Sequence, residues 1–306
     1  MVKIEYCVPT RCLTNEELAI EYPEWNAEKI FAKTGIKSRH VASGEMDVLD
    51  LASTAAERLF IGRCIDRDKV DFLLLCTQSP RYPLPSTSCL LHEKLNLPKT
   101  AGAMAFDHGC SGFIYGLSIA KGLVVGGGAK NVLLVTAETY SKYISKEDKS
   151  TRTIFGDGAA ALLVDKELAA RIGAFSFGTD GSGADKLIVR DGNLFMDGPE
   201  IFNFTLEIVP KTLEDVLSKN KLTRSDIDLY VFHQANKFML DTIRKVNGLP
   251  REKFYVNLET TGNTVSSTIP IALKQLDEAG RLKQGMKVML MGFGVGLSWG
   301  ATVITI

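Results

Sequence analysis

Three residues with the chemistry of covalent acyl transfer each stand where a predicted strand gives way to a predicted helix. Cys110 lies between an apolar run and a helical pattern, His233 ends a second apolar run, and Asn263 precedes a third element. A cysteine with histidine and amide partners can act as a covalent nucleophile. The helix predicted after Cys110 should favour the thiolate, because unpaired N–H groups and the positive end of the dipole lie there. With only four histidines in the chain, His233 has few competitors for this role.

The composition excludes several other kinds of protein. The 306 residues include 36 basic and 36 acidic side chains, so there is no overall positive field for nucleic acid or an anionic membrane. The six cysteines form no CxxC pair and do not reach the density of a disulfide scaffold. Together with an N-terminus unlike a signal peptide, this pattern predicts a protein of the reducing cytoplasm. Cys76 and Cys89 are predicted to be small buried apolar residues.

The uncharged segment 288–306 has nearly the length of a membrane-spanning helix. Four glycines interrupt it, and its apolar runs are rich in strand formers, so we predict two buried strands around a glycine loop. Gly292, Gly294 and Gly296 follow a strand pattern, as in a dinucleotide-binding loop. No helical pattern follows them, however, and we therefore exclude a site of that kind.

The chain repeats its pattern of elements once, which predicts two similar halves, 1–166 and 167–306. Asp71 and Asp228 each precede an apolar run, and they lie 157 residues apart; Cys110 and Asn263 lie 153 residues apart. Alternating strands and helices predict an α/β fold with largely parallel sheets. Ligands bind at the carboxyl ends of such strands, so Cys110 and Asn263 should meet in one cleft. The alternative is that the equal spacing of these elements is a coincidence and the two halves are not equivalent.

Six motifs occur in an order that resembles the thiolase-fold condensing enzymes, and among them the β-ketoacyl-acyl carrier protein synthase III family. They span almost the whole chain: Thr34-Gly-Ile-Lys-Ser-Arg-His40, Gly109-Cys-Ser-Gly-Phe113, Phe155-Gly-Asp-Gly158, His233-Gln-Ala-Asn236, Gly262-Asn-Thr264 and Phe293-Gly-Val-Gly296. The resemblance implies a thiolase fold, in which two pseudo-symmetric α/β halves pack as a layered αβαβα sandwich.

The resemblance also implies a reaction and a set of roles. Cys110 would take an acyl group from a thioester, and a malonyl group on acyl carrier protein would lose carbon dioxide and attack it. His233 and Asn263 would donate hydrogen bonds to the developing enolate. The backbone N–H groups of Cys110 and Val295 would form the oxyanion hole, although the family usually has glycine at the second position. Phe293 would assist decarboxylation. The substrates would be acyl-coenzyme A or acyl-carrier thioesters, with no tightly bound cofactor.

The acyl pocket of the resembling enzymes is closed by a residue from the partner subunit of a homodimer. Leu84 occupies the matching position here. A large aromatic residue there restricts such enzymes to two-carbon primers, so leucine predicts room for a longer or branched acyl chain. Ordinary packing at a dimer interface is the alternative role for Leu84. The family pairs its subunits through edge strands, and a homodimer is therefore expected.

The thioester-binding positions depart from the family pattern. Relatives hold the adenine of coenzyme A between a tryptophan and an arginine, whereas the matching positions here hold Lys29 and Lys149, with Lys33 and Arg152 nearby. Lysines can bind phosphates but cannot stack as tryptophan does. Coenzyme A would then bind weakly, or the acyl donor would itself be carrier-bound.

The carrier-docking position also departs from the family, because Phe238 replaces an arginine. The surrounding segment still offers polar and basic groups for the thioester and its carrier, namely Asn236, Lys237, Arg244, Lys245, Arg251 and Lys253. A solvated charged face is the alternative. His108 stands where the family commonly has a small neutral residue, and it could either tune Cys110 or make a structural contact. Asn263 could also serve as a helix N-cap.

Three other functions fit parts of the pattern. An acyltransferase on the same scaffold would transfer the acyl group to an alcohol or amine without decarboxylation, and a non-catalytic subunit would only bind a carrier. Intact His233 and Asn263 favour condensation over both. A papain-like protease lacks support, because its local cysteine signature is absent. Fatty-acid initiation and a specialised lipid or secondary-metabolite pathway share this chemistry, so the sequence leaves that choice open.

Overall fold

Two β-sheets and the helices around them make up most of residues 2–306, the part of the chain described by the computed structural model. The strands are β1 (Ile4–Cys7), β2 (Cys12–Thr14), β3 (Ser38–His40), β4 (Phe72–Cys76), β5 (Gly102–Phe106), β6 (Val132–Glu138), β7 (Gly158–Val164), β8 (Ile172–Thr179), β9 (Leu187–Arg190), β10 (Asn193–Met196), β11 (Leu229–Phe232), β12 (Lys287–Gly294) and β13 (Ser298–Thr305). The α-helices are α1 (Asn15–Glu21), α2 (Ala27–Thr34), α3 (Val48–Gly62), α4 (Thr87–Lys94), α5 (Gly112–Val125), α6 (Lys149–Arg152), α7 (Lys166–Arg171), α8 (Gly198–Lys219), α9 (Lys237–Val246) and α10 (Thr268–Glu278).

The two main sheets are mixed, so the prediction of largely parallel sheets was wrong. The first has the order β1-β7-β6-β4-β5 and the second β11-β12-β13-β8. Only β4 with β5, β4 with β6, and β11 with β12 run parallel in these sheets. The connection from β12 to β13 is only three residues long, too short for the crossover that parallel strands need, so the chain returns antiparallel.

The sheets share one strand arrangement, since β1-β7-β6-β4 corresponds in order and direction to β8-β13-β12-β11. Equivalent aspartates act alike in both. The Asp71 carboxylate accepts the backbone N–H of Asn131 at 2.9 Å, and the Asp228 carboxylate accepts that of Lys287 at 2.8 Å. Each aspartate thereby ties the start of its own strand to the start of the neighbouring strand. In the second half, a single parallel β-bridge between Tyr230 and Phe254 takes the place that β5 has in the first sheet.

Helices separate and cover the sheets, which gives the predicted αβαβα layers. Helices α3 and α4 pack on the outer face of the first sheet, α5 and α10 lie between the sheets, and α8 covers the second sheet with α9 beside it. The middle layer is apolar, with Phe113 and Leu117 of α5 packed near Ile269 and Leu273 of α10. The layered sandwich expected from the sequence is therefore present, and Cys110 precedes one of its two central helices.

The C-terminal segment forms the hairpin that its glycines and strand formers predicted. Strands β12 and β13 pair from Lys287 with Thr305 to Gly294 with Ser298, and most of their side chains are buried. Across residues 2–306, no helix has both the length and the apolar character needed to cross a membrane.

Candidate active site

Cys110 lies in the tight connection between β5 and α5, where β12 passes directly beside it. Its side chain is buried. A Cβ added at Gly294 would lie 3.0 Å from the Cys110 sulfur, and one added at Gly292 would lie 2.6 Å from the Cys110 carbonyl oxygen. These two glycines are therefore explained by the close approach of β12 to the cysteine, since neither position has room for a side chain.

The Cys110 thiol is held in its neutral form. Burial, and then the negative charge of Glu138, raise its pKa to about 12, while the backbone N–H groups of Cys110 and Val295 act on the sulfur in the opposite direction. The expectation that the helix start favours a thiolate was therefore wrong for the free site, because desolvation outweighs the N–H groups. The same two N–H groups are the ones expected to form the oxyanion hole.

His233 follows β11, and its ring is fixed from several sides. Its backbone N–H donates to the Met291 carbonyl at 2.8 Å, and its Nδ1 lies 2.7 Å from the Thr268 hydroxyl. Phe293 meets the imidazole edge to face, with ring centroids 5.8 Å apart. Burial lowers the pKa of His233 to about 3, so the imidazole is neutral at physiological pH.

Asn263 is held by its backbone and presents its amide nitrogen to His233. Its N–H donates to the Ile154 carbonyl, and its own carbonyl accepts from Gly156, both at 2.9 Å. Its Oδ1 accepts the backbone N–H of Val265 at 2.9 Å, and its Nδ2 lies 3.4 Å from Nε2 of His233. This bond holds the first residue of the short 3-10 turn at 265–267, and Asn263 is not the N-cap of α10, which begins later, at Thr268.

One buried cavity of about 130 Å³ joins the predicted catalytic residues. Cys110, His233, Asn263 and Phe293 all line it, and Asn236 lies on its wall. The remaining lining is largely apolar and comes from β9, β10, α8, α9 and the segment before β7. A thioester carbonyl in this space can meet the sulfur, two backbone N–H groups and two side-chain nitrogens, which is the equipment for making and breaking an acyl–sulfur bond.

Glu138 is a fully buried carboxyl group behind this site, and the sequence analysis did not select it. It accepts hydrogen bonds from the backbone N–H of Gln78 at 3.1 Å and from the hydroxyls of Ser79 at 3.1 Å and Ser266 at 2.9 Å. Burial raises its pKa to about 8, against the effect of these donors. A charged residue at the end of β6, a strand that is otherwise uncharged and mostly apolar, was the available sequence signal. Glu138 links the loop after β4 to the segment that carries Asn263.

The basic residues predicted to hold a thioester's nucleotide surround an aromatic ring that the sequence analysis missed. The ammonium group of Lys33 lies 4.6 Å from the centre of the Trp25 ring, and those of Lys29 and Lys149 lie 5.8 Å from it. Trp25 stands four residues before Lys29, at the entry to α2 and outside the six motifs. Lys149 also pairs with Glu24.

Arg152 is less available, because its guanidinium pairs with Glu21 at 2.7 Å. The carrier-docking candidates, by contrast, lie along α9. Asn236 caps this helix by accepting the N–H of Met239 at 2.9 Å, and Lys237 pairs with Asp241 at 2.7 Å. Lys237 lines a wide surface groove of about 820 Å³ together with further basic residues, namely Arg244, Lys245, Arg251 and Arg281.

Several predicted positions lie apart from the catalytic cavity. Leu84 is 83% exposed and does not line the Cys110 cavity of its own chain. Phe238 is 62% exposed and stacks on Phe202 with centroids 5.3 Å apart. The His108 ring packs edge-on against Tyr115 at 4.3 Å, a structural contact. Cys89 is exposed, so its predicted burial was wrong: α4 turns it to solvent.

Comparison with known proteins gives matches along the chain. A family model described as 3-oxoacyl-[acyl-carrier-protein] synthase III matches residues 105–181, and one for the C-terminal part matches 217–306. A β-ketoacyl-[acyl-carrier-protein] synthase III from Clostridium perfringens is 35% identical over 99% of this chain and 98% of the relative. A solved structure of a 3-oxoacyl-(acyl-carrier-protein) synthase III is 46% identical, with a TM-score of 0.96 and coverage of 99% and 98% of the two chains. The priming β-ketosynthase of the R1128 polyketide pathway is 28% identical, with a TM-score of 0.92 and coverage of 100% and 95%.

Proposed function

The chain belongs to the β-ketoacyl-acyl carrier protein synthase III family of thiolase-fold condensing enzymes, and on this basis we propose that Cys110 carries its acyl group while His233 and Asn263 stabilise the enolate. One observation supports these roles above the others. Nε2 of His233 and Nδ2 of Asn263 lie 3.4 Å apart in the cavity that Cys110 lines. Two nitrogens from different loops thus converge where one carbonyl oxygen can contact both.

In the first step, the Cys110 sulfur attacks the carbonyl carbon of an acyl thioester. The N–H groups of Cys110 and Val295 receive the negative oxygen of the tetrahedral intermediate. The carbon–sulfur bond of the donor then breaks, and the departing thiolate takes up the proton that Cys110 loses. Because the Cys110 thiol is protonated at neutral pH, its proton has to leave as the new bond forms.

In the second step, a malonyl thioester enters the same cavity and loses carbon dioxide. The electron pair of the broken bond becomes an enolate, whose oxygen accepts hydrogen bonds from His233 and Asn263. In the free site the Asn263 amide nitrogen can only donate to Nε2, and the Thr268 hydroxyl donates to the Val265 carbonyl at 3.1 Å. For Nε2 to donate to the enolate, the Thr268 hydroxyl must turn its hydrogen to Nδ1, 2.7 Å away. The enolate carbon attacks the acyl carbonyl on Cys110, and the thiolate leaves with the β-ketoacyl product formed.

For the acyl donor, we propose coenzyme A thioesters. Trp25 offers an aromatic surface of the kind that stacks on a purine, and the Lys33 ammonium beside it can bind a phosphate. Lys29 and Lys149 can add to this once they leave their contacts with Glu24. The malonyl group would arrive on acyl carrier protein, whose acidic surface suits the basic groups of Lys237, Arg244 and Lys245 along α9.

We also propose roles for the two halves of the chain, a homodimer and a cellular compartment. The halves 1–166 and 167–306 would each supply one side of the catalytic cavity. Two chains would form a homodimer in which the exposed Leu84 of one protomer closes the acyl pocket of the other. The free cysteines suit a reducing compartment, and we place the enzyme in the cytoplasm.

Intact-mass measurement tests the covalent step. The purified protein is incubated with acyl-coenzyme A and acyl-carrier thioesters, and Cys110→Ala serves as control. A mass gain that the variant lacks supports the acyl-enzyme. Release of carbon dioxide from malonyl carrier, lost in Asn263→Ala, supports condensation. Acylation without carbon dioxide release would instead favour an acyltransferase, and no acylation from any donor would favour a carrier-binding subunit.

A further inference from the structure

A second cavity, of about 310 Å³, is lined by two residues that pack against Gly109, the neighbour of the nucleophile. A Cβ added to Gly109 would collide with the side chains of both Val295 and Gln78, and these two residues line the cavity. Leu187 lines both this cavity and the one that contains Cys110. An acyl group attached to the Cys110 sulfur therefore has this space within reach.

The walls of this second cavity differ in polarity. Leu187 and Leu194 make one part apolar, whereas Gln78, Asp107, Tyr140 and Tyr143 bring polar groups to the other. The Tyr140 hydroxyl donates to the Gln78 amide oxygen at 2.6 Å, which fixes the orientation of the amide. The Gln78 amide nitrogen therefore points away from Tyr140 and remains available as a donor. No lysine or arginine lines the cavity.

Two polar groups of the cavity wall have no partner in the part of the chain that the structure describes. Within residues 2–306, the Gln78 amide nitrogen donates to no side chain or carbonyl, and the Asp107 carboxylate has neither an ion pair nor a hydrogen bond. Gln78 is half-buried and Asp107 is exposed, so both groups are open to water or to a ligand. A saturated hydrocarbon chain lying against them would displace this water without replacing its hydrogen bonds, which is costly. A hydroxyl or amino group would pair with them, and a carboxylate would be repelled by Asp107.

We infer that the second cavity selects acyl groups that carry a hydrogen-bond donor, a hydroxyl or an amino group, a few atoms from the thioester carbonyl. This inference rests on the proposed acylation of Cys110. Gln78 and Asp107 are the specificity-determining residues, and Leu187 and Leu194 accommodate the carbon chain. A site built to hydrogen-bond its substrate rejects an isostere without that group more strongly than an apolar pocket distinguishes chain lengths.

Two pairs of isosteric thioesters test the inference, one pair with an aliphatic acyl group and one with an aromatic acyl group. Rates of Cys110 acylation are measured by intact mass for 3-hydroxybutanoyl- against 3-methylbutanoyl-coenzyme A, and for 3-hydroxybenzoyl- against 3-methylbenzoyl-coenzyme A. We expect the hydroxyl member of at least one pair to react about tenfold faster or more. Succinyl-coenzyme A, with its carboxylate, should be the slowest of the aliphatic donors.

Two variants connect this selectivity to the cavity. Gln78→Leu and Asp107→Asn should bring the hydroxyl-to-methyl rate ratio close to one, and Asp107→Asn should also accelerate succinyl transfer. Tyr143→Phe provides a second change in the same wall if Gln78→Leu folds poorly, as judged by its melting temperature. Methyl members that react as fast as the hydroxyl members in both pairs would overturn the inference. If no thioester at all acylates Cys110, it is the proposed function that fails.

Discussion

Among single residues, Glu138 sets the electrostatic environment of Cys110 without being a catalytic group itself. Its carboxyl group is fully buried and, after burial, it is the main cause of the raised pKa of the Cys110 thiol. The pKa of Glu138 is about 8, so its charge is largely absent at neutral pH and present in alkaline solution, where the thiol titrates. Replacing Glu138 with glutamine removes this charge at all pH values.

We expect Glu138→Gln to shift the alkylation of Cys110 by iodoacetamide to lower pH. A lower thiol pKa increases the thiolate fraction, so alkylation above pH 8 should become about three- to tenfold faster, which corresponds to a pKa shift of half to one unit. Peptide mass spectrometry follows each cysteine separately. The exposed Cys64 and Cys89 are internal controls whose profiles should stay unchanged. Coinciding Cys110 profiles in the two proteins would show that Glu138 only holds structure.

We expect Thr268 to control which nitrogen of His233 carries the proton during decarboxylation, when its hydroxyl turns from the Val265 carbonyl at 3.1 Å to Nδ1. The change Thr268→Val keeps the shape but removes the hydroxyl that lies 2.7 Å from Nδ1. The imidazole is then free to place its proton on Nδ1, and Nε2 loses the hydrogen that it would donate to the enolate. We expect carbon dioxide release from malonyl carrier to fall at least about tenfold, with Cys110 acylation nearly unchanged.

Thr212→Val is the matched control for that variant. Thr212 is likewise buried, but its hydroxyl donates to the Ile208 carbonyl within α8, outside the catalytic cavity. It should leave carbon dioxide release unaltered. An equal loss in both variants, or an equal loss of acylation and decarboxylation in Thr268→Val, would argue against control of the tautomer.

At the level of elements, the segment that carries Asn263 depends on the left-handed conformation of Gly262. Its φ is +66°, and an added Cβ would lie 2.8 Å from the Ile154 carbonyl oxygen. This oxygen is the one that accepts the backbone N–H of Asn263. A side chain at Gly262 would therefore displace the bond that positions the amide.

Gly262→Ala should consequently damage both stability and catalysis, and Gly248→Ala separates the two causes. Gly248 has a similar φ of +63°, but an added Cβ there would meet no atom within 4 Å. We expect Gly248→Ala to lower the free energy of unfolding by about 1 kcal/mol and to leave condensation intact. Gly262→Ala should cost more and reduce carbon dioxide release. Urea denaturation measures the free energy of unfolding, and the carbon dioxide assay measures catalysis. If the two variants lose the same amount of each, backbone strain alone explains the effect of Gly262→Ala.

The elements also show what the sequence could predict. Local apolar patterns are enough to predict the ends of the strands, the C-terminal hairpin and the equivalent positions of Asp71 and Asp228. The structure contains all of these features. Strand direction does not follow from such patterns, because it depends on how each connection returns. The pKa of Cys110 was misjudged for a similar reason: burial by β12 and the charge of Glu138 come from distant parts of the chain.

For the molecule as a whole, β5 is the feature that suggests assembly. It is an edge strand paired only with β4, and its residues are half-buried or exposed, whereas β6 and β7 are buried throughout. Met104 at its centre is 39% exposed. Unpaired strand edges with apolar side chains readily pair with another chain, and monomeric proteins usually protect them. We therefore expect β5 to pair with its copy in a homodimer.

Sedimentation velocity at micromolar concentration tests this assembly. The wild-type protein should have twice the 33.5 kDa mass of one chain. Met104→Lys would place like charges close together across a twofold axis, so it should shift the protein to monomer. Val125→Lys introduces the same charge at a residue that is 70% exposed at the end of α5, and it should remain dimeric.

The monomeric Met104→Lys variant should also lose its preference among acyl chain lengths, because in a monomer Leu84 no longer closes the partner's acyl pocket. A monomeric wild type that keeps such a preference would contradict both the dimer and the role of Leu84.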